Sequence, residues 1–359
     1  MIEPRLLLGS GPSPVPQRVL DALSEPTIGH LDPQFVAIMD EVGDLLRATF
    51  RTANRVAFPI SGTGSAGMQA MVDTLIEPGD RVVCGVHGVF GGRMADCLQR
   101  AGADVVKVEA EWGRAIETER LLDAWTPQSR ALFVVHGETS TGVAQPLEGL
   151  REGIGEGLLL VDCVTSLSGH PLDLDAAGVD AAFSGTQKCL NCPPGLAPFT
   201  VTERATERLS RRSWYFDLEA ILGYWLGGDG ARAYHHTAPI NMVYALREAL
   251  RIVNEEGLEA RWARHAEAHE SLRAQLAELG FERLAPQGEQ LSSLLCVRVP
   301  EGIDEAAVRG RLLSVHGIEV SGGLGPLAGK VWRIGVMGEG ARPEAQALLV
   351  EAVTEELGA

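Results

Sequence analysis

From about residue 55 to 201, short apolar runs alternate with amphipathic stretches. The pattern predicts strands over 55–60, 81–86, 103–108, 130–136, 158–162, 181–184 and 196–201. Between several of them, the segments 65–76, 93–101 and 117–125 repeat apolar residues at helical spacing. Continuous Val, Leu and Ala runs separated by helices are what a mostly parallel sheet requires, because helices cover both of its faces. The pattern changes near Tyr244. Two long helical segments, 242–256 and 258–279, lead into strand 293–299, helix 304–315, strand 331–336 and helix 343–357. The expectation is an α/β protein in three parts: an arm over 1–14, a large domain over 15–256 holding the sheet, and a smaller α/β domain over 257–359.

Composition narrows the class. Of the 359 residues 45% are hydrophobic and 22% charged, the balance of a soluble globular enzyme. A net charge of −17 argues against nucleic acid or an anionic membrane as the main partner. The opening residues have no basic start and are broken by Gly and Pro after three leucines, so they do not read as a signal peptide. With no run of membrane-spanning length, the expected location is cytoplasmic. The six cysteines lie mostly in apolar stretches, as reduced core thiols do. Cys189-x-x-Cys192 lacks the second ligand pair that zinc needs, and no metal is expected. His265 and His269, one helical turn apart, read as a solvated face.

Lysine usage points to chemistry. Only Lys107, Lys188 and Lys330 occur among 31 Lys and Arg. A lysine can lose its proton and form an imine with an aldehyde, which a guanidinium cannot. Lys107 alternates with valines and reads as an outward strand residue; Lys330 sits in a glycine-rich loop. Lys188 instead follows a strand and precedes Pro193-Pro-Gly195. Gly62-Thr-Gly-Ser-Ala-Gly67 formally matches a dinucleotide-binding fingerprint. That reading needs an acidic residue at the end of the next strand, and His87 stands there. The run supports a helix N-terminus, with Thr63 and Ser65 hydroxyls, offered to a phosphate. A plain turn with Ser65 as N-cap fits it as well. Asp162 follows buried aliphatics at another strand end. Paired with Lys188 it suits pyridoxal phosphate: the carboxylate keeps the pyridine nitrogen protonated, and the lysine holds the aldehyde. Phe90 offers a face for a planar ring, or ordinary packing.

Ordered motifs run nearly end to end: Gly9-Ser-Gly-Pro-Ser13, Ser61-Gly-Thr-Gly64, Glu77-Pro-Gly-Asp80, His136-Gly-Glu-Thr-Ser-Thr-Gly142, Val161-Asp162, Ser184-Gly-Thr-Gln-Lys188, Pro193-Pro-Gly195, Tyr234-His-His-Thr237, Gly322-Gly-Leu-Gly-Pro326 and Arg333-Ile-Gly335. In these the chain resembles the class V, fold-type I aminotransferases, and within them the alanine–glyoxylate and serine–pyruvate group. The resemblance implies a pyridoxal 5′-phosphate enzyme that moves an amino group from alanine or serine to a small 2-keto acid, glyoxylate, by a ping-pong route. It implies Lys188 as the Schiff-base lysine and Asp162 as partner of the pyridine nitrogen. Thr63, Gly64, Ser65 and Gln187 would contact the phosphate, Thr139 the ring hydroxyl region, and Phe90 the ring face. Arg333 would bind the substrate carboxylate. Tyr234 and Thr237 would complete the other subunit's site in a homodimer. Phe90, Ser65 and Leu31 depart from residues common in relatives (Trp, His and Arg). The alternatives are another class V enzyme, such as an aminoethylphosphonate–pyruvate transaminase or a lyase, and a nicotinamide-dependent dehydrogenase. A non-catalytic binding module would leave the lysine, aspartate and arginine without a use.

Overall fold

The computed structural model describes residues 3–227 and 232–358. A seven-stranded sheet runs in the order Val56–Ser61, Leu196–Val201, Ala181–Phe183, Leu158–Asp162, Ser129–Val135, Arg81–Val86, Asp104–Glu109. All pairings are parallel except those of Leu196–Val201, which runs against both neighbours. The α/β, mostly parallel architecture expected from the alternation is therefore present, with strand ends within about a residue of the predicted positions. The central strands are buried along their whole length, which is why they read as unbroken aliphatic runs.

A second, four-stranded antiparallel sheet is built from Glu282–Arg283, Leu294–Arg298, Val331–Gly335 and Ser321–Gly322. It has its own apolar core, in which Leu272, Leu295, Trp332, Ile334 and Leu349 pack together. The N-terminal segment belongs to this layer. Leu6–Leu7 pairs with Ile318–Glu319, and Leu8 O accepts from the Gly335 N–H at 2.8 Å. From there the chain crosses back to the large sheet, where helix Gln17–Leu23 packs on Ile240–Glu256.

Helices Pro33–Phe50 and Leu218–Trp225 complete the large layer without having been expected from the alternation. The first has clear local causes. Asp32 accepts the Gln34 N–H at 2.8 Å, Pro33 occupies the first turn, and Arg51 ends the helix in the left-handed region at φ 52°. One expectation is overturned. His265 and His269 are buried, at 0% and 2% exposure, rather than solvated. Their helix, Leu258–Glu278, turns one face inward, where Arg261 reaches Cys189 O and Leu272 and Leu276 join the smaller core, while its outer residues stay exposed. His265 Nε2 accepts from the Gly338 N–H at 2.9 Å, while Nδ1 lies 2.7 Å from Arg261 O. Those two bonds replace the water that the sequence pattern suggested.

Candidate active site

The carboxyl ends of the parallel strands gather on one edge of the sheet, where ligands of such folds sit. Asp162 ends its strand beside Val135 on one neighbour and Phe183 on the other. Five residues beyond Phe183 the chain reaches Lys188, which is 8% exposed. Its Nζ donates to Ser10 O, and its own carbonyl accepts from Ser13 Oγ at 2.6 Å. The N-terminal arm is thus laid directly over the lysine. Gly11, at φ +109°, makes that approach possible: a Cβ there would sit 2.5 Å from Nζ.

Burial governs the charges. It pulls the Lys188 amine down to a pKa of about 8, because an ammonium loses its water, and Arg333 adds in the same direction. It pushes the Asp162 carboxyl, 2% exposed, up to about 7. Asp162 accepts one hydrogen bond, from the Val164 N–H at 2.8 Å, and among the described residues no cation forms a salt bridge with it. A buried acid with no such partner suits a ligand that brings its own cationic N–H.

The expected phosphate end has the same incomplete character. Thr63 begins helix Gly64–Leu75, yet its side chain caps no helix N–H. The Gln187 Oε1 is buried without a hydrogen-bond partner. The helix N-terminus offers donors to a phosphate, and of the Gln187 amide only the NH₂ group, not Oε1, could add another. Ser65 Oγ accepts from Arg93 Nη1 at 3.2 Å, and the Arg93 guanidinium lies 4.7 Å from the centre of the Phe90 ring. Arg93 therefore touches both Ser65 and Phe90. Thr139 is buried with its hydroxyl bonded to Thr165 Oγ1. Arg333, 7% exposed, donates from Nε to Gly322 O at 2.8 Å and from Nη1 to Thr139 O at 3.4 Å. These two bonds fix the plane of the guanidinium and leave Nη2 without a protein partner among the described residues.

Tyr234 and Thr237 stand apart. Tyr234 is 59% exposed, its hydroxyl 3.3 Å from Thr237 Oγ1 and its ring 5.0 Å from that of His30. Leu31 is exposed beside them. A cavity of about 650 Å³ lined by His136, His170, Trp262 and Arg51 lies outside the Lys188–Asp162 group. Sequence reasoning gave no role to Glu138, Arg93 or Asn191. Asn191 Nδ2 donates to Ser13 Oγ, Pro14 O and Met337 O, and Oδ1 accepts from Arg261. It joins the arm, the lysine loop and the smaller sheet.

Comparison with known proteins gives the family. A family model described as Aminotransferase class-V matches residues 5–330. The (S)-ureidoglycine–glyoxylate transaminase of Bacillus subtilis (strain 168) is 38% identical over 366 aligned positions, covering 95% of this chain and 87% of that protein. The alanine–glyoxylate aminotransferase of Callithrix jacchus is also 38% identical, covering 99% of this chain and 88% of its own length. Among solved structures, the alanine–glyoxylate aminotransferase of Nostoc sp. is 46% identical with a TM-score of 0.94, covering 99% of this chain and 96% of that one.

Proposed function

This chain belongs to the class-V aminotransferases, and from that premise we propose that it moves the amino group of alanine or serine to glyoxylate. It is a transaminase with pyridoxal 5′-phosphate as cofactor. The observation that carries the site assignment is the pairing of Lys188 with Asp162. An amine and an acid of opposite sign are buried within reach of each other's charge, Asp162 at a strand end and Lys188 five residues past the end of the neighbouring strand, and no salt bridge joins Asp162 to any cation among the described residues.

When bound, pyridoxal phosphate supplies an aldehyde that exchanges amines and a ring that draws electron density from the substrate α-carbon. The residues divide the rest. Asp162 would pair with the ring nitrogen and favour its protonated form. Thr63, Gly64, Ser65 and Gln187 would hold the phosphate at the helix N-terminus, Thr139 would serve the ring hydroxyl, and Phe90 would pack against the ring. Arg333, its plane already fixed by two carbonyls, offers the rest of its fork to the substrate carboxylate and so sets which α-substituent faces Lys188. Lys188 Nζ takes the proton from the substrate α-carbon. An amine with a pKa of about 8 is a competent base near neutral pH. The arm over Lys188 and the burial of Asp162 keep water from the reacting atoms.

Dimerisation belongs to the same reading. Trp214 and Tyr234, at 71% and 59% exposure, lie with Tyr215 in one aromatic patch that a partner subunit would cover. In that dimer Tyr234 and Thr237 reach the partner's phosphate site. The division into an arm, a large domain to residue 256 and a small domain is supported by the two separate apolar cores. Cytoplasmic location is supported by six free cysteines.

The test is a panel of alanine, serine and (S)-ureidoglycine, each with glyoxylate, following the loss and return of cofactor absorbance. Ureidoglycine is included because a transaminase named for it is as similar to this chain as the alanine enzymes are. Fast loss of colour with alanine or serine supports the proposal, and preference for ureidoglycine replaces it. A purified protein that binds no pyridoxal phosphate ends it.

A further inference from the structure

Glu138 is a carboxylate with no exposure at all, on the edge of the proposed cofactor site. Burial raises its pKa, and the bonds it accepts act in the opposite direction. Its Oε2 accepts from the Phe90 N–H at 3.0 Å and the Gly91 N–H at 3.2 Å. Its Oε1 accepts from the Ser140 N–H at 3.0 Å and the Ser140 hydroxyl at 2.6 Å. The Ser140 Oγ in turn accepts from the Val89 N–H at 3.0 Å. The opening N–H groups of helix Val89–Arg100 are therefore received by two side chains from a different strand end. Gly88 has no room for a side chain: a Cβ would overlap Ser140 Oγ and the Glu138 carboxyl.

Ordinary capping takes one local Ser, Thr, Asp or Asn. Here the cap is delivered from 48 residues away, and it grips the amide of the residue whose ring is at issue. Between the two capping residues stands Thr139, whose hydroxyl bonds Thr165 and whose carbonyl accepts from Arg333. The charge of Glu138 also reaches Asp162 and Arg333. One buried carboxylate thus lies at the junction of the ring face, the ring-hydroxyl region and the carboxylate-binding arginine.

We propose that Glu138 is a positioning residue: with Ser140 it fixes the amino end of the Val89–Arg100 helix and so sets the seat of the Phe90 ring against the cofactor. This rests on the reading that Phe90 faces pyridoxal phosphate. A role in stability alone would leave the cofactor's affinity and optical signature unchanged in a folded variant.

The decisive variant is Glu138→Gln. An amide has one acceptor oxygen, so its NH₂ must face either the Phe90 and Gly91 N–H groups or the Ser140 N–H, and part of the cap is lost in either pose. The measurements are the Kd for pyridoxal phosphate by absorbance titration and the visible circular dichroism per bound cofactor. Far-UV dichroism serves as the folding control. Expected are unchanged far-UV signal, a Kd raised about tenfold, the scale of one or two lost charge-assisted bonds, and a weakened visible band. Phe90→Ala should do the same, and the double variant should be no worse than Phe90→Ala alone, because both act through one ring. If Glu138→Gln does not fold, Ser140→Ala decides, with an expected rise in Kd of about threefold. Wild-type Kd and visible dichroism in a folded Glu138→Gln, or in Ser140→Ala where the first variant does not fold, overturn the proposal. Additive effects in the double variant overturn it too. Failure of the unmodified protein to bind the cofactor overturns the functional reading itself, which separates the two failures.

Discussion

Replacing Asp162 by Asn separates the cost of this residue from its use. The carboxyl moves from an ordinary 3.8 to about 7 on burial, a gap of about three pH units. At about 1.4 kcal/mol for each unit, ionising it in the cofactor-free protein costs about 4 kcal/mol of folding stability. The sign follows from the folded pKa lying above the unfolded one. Relative to a side chain that does not titrate, Asp162 is harmless below pH 3.8, and its cost accumulates as the pH rises to about 7. Asparagine keeps the acceptor for the Val164 N–H and never ionises. Urea unfolding of cofactor-free wild type and Asp162→Asn, at fixed protein concentration, should give nearly equal stabilities at pH 4. The variant should gain by about 1.4 kcal/mol per pH unit and level off above pH 7. A difference that stays flat from pH 4 to pH 8 would refute the claim that Asp162 is held in a dry, unpaired site. With pyridoxal phosphate present the advantage should shrink or reverse, because only the aspartate can pair with a protonated ring nitrogen. The variant should retain cofactor and lose most of its turnover.

Lys188→Ala should lose turnover, and borohydride, which fixes cofactor to the wild-type chain, should leave this variant free of it. The rate of covalent cofactor capture by the cofactor-free wild type should climb with pH and flatten above about 8; a climb continuing to 10.5 would show an ordinary exposed lysine. Arg333→Ala should raise KM for the amino acid by about 30-fold or more, the cost of leaving a carboxylate unpaired at a buried site. Its Kd for pyridoxal phosphate should stay within about threefold of wild type; equal losses in both would place Arg333 at the cofactor instead. His265→Ala should lower folding stability by about 1–3 kcal/mol, because the buried Gly338 N–H loses its acceptor, and thermal unfolding measures it directly.

The parts of this protein that were legible in the sequence are those whose cause is local. A strand buried on both faces must be aliphatic throughout, so Leu158–Asp162 and Leu196–Val201 were readable residue for residue. The Asp162 candidate follows from the same logic, since a charged residue closing a buried run marks the functional edge of a parallel sheet, whereas Lys188 stands out through the scarcity of lysine. Reading failed where the environment comes from far away in the chain. The helix carrying His265 and His269 has charged neighbours that look solvated, and only the second layer packed over it shows that both rings are buried.

The same distinction explains why the sequence carries no signal for Glu138, although it lies within His136-Gly-Glu-Thr-Ser-Thr-Gly142. Within His136–Gly142 a glutamate between Gly and Thr has no periodic or capping signal, because the helix it caps began 49 residues earlier, at Val89. Asn191 and the arm are alike in this. Asn191 accepts from Arg261 and donates to Ser13, Pro14 and Met337, partners from three distant segments. Each of these contacts lies between segments, yet each bears on the lysine. Lys188 is dry because residues 10–13 cross it, and those residues are held by Asn191 and by the strand at Leu6–Leu7 in the other layer. The depressed pKa of Lys188 is therefore set by how the two layers meet. Movement of the smaller sheet against the larger would rehydrate Lys188 and raise its pKa towards 10.5. The arm pairs with one layer and covers Lys188 of the other, and so couples the two.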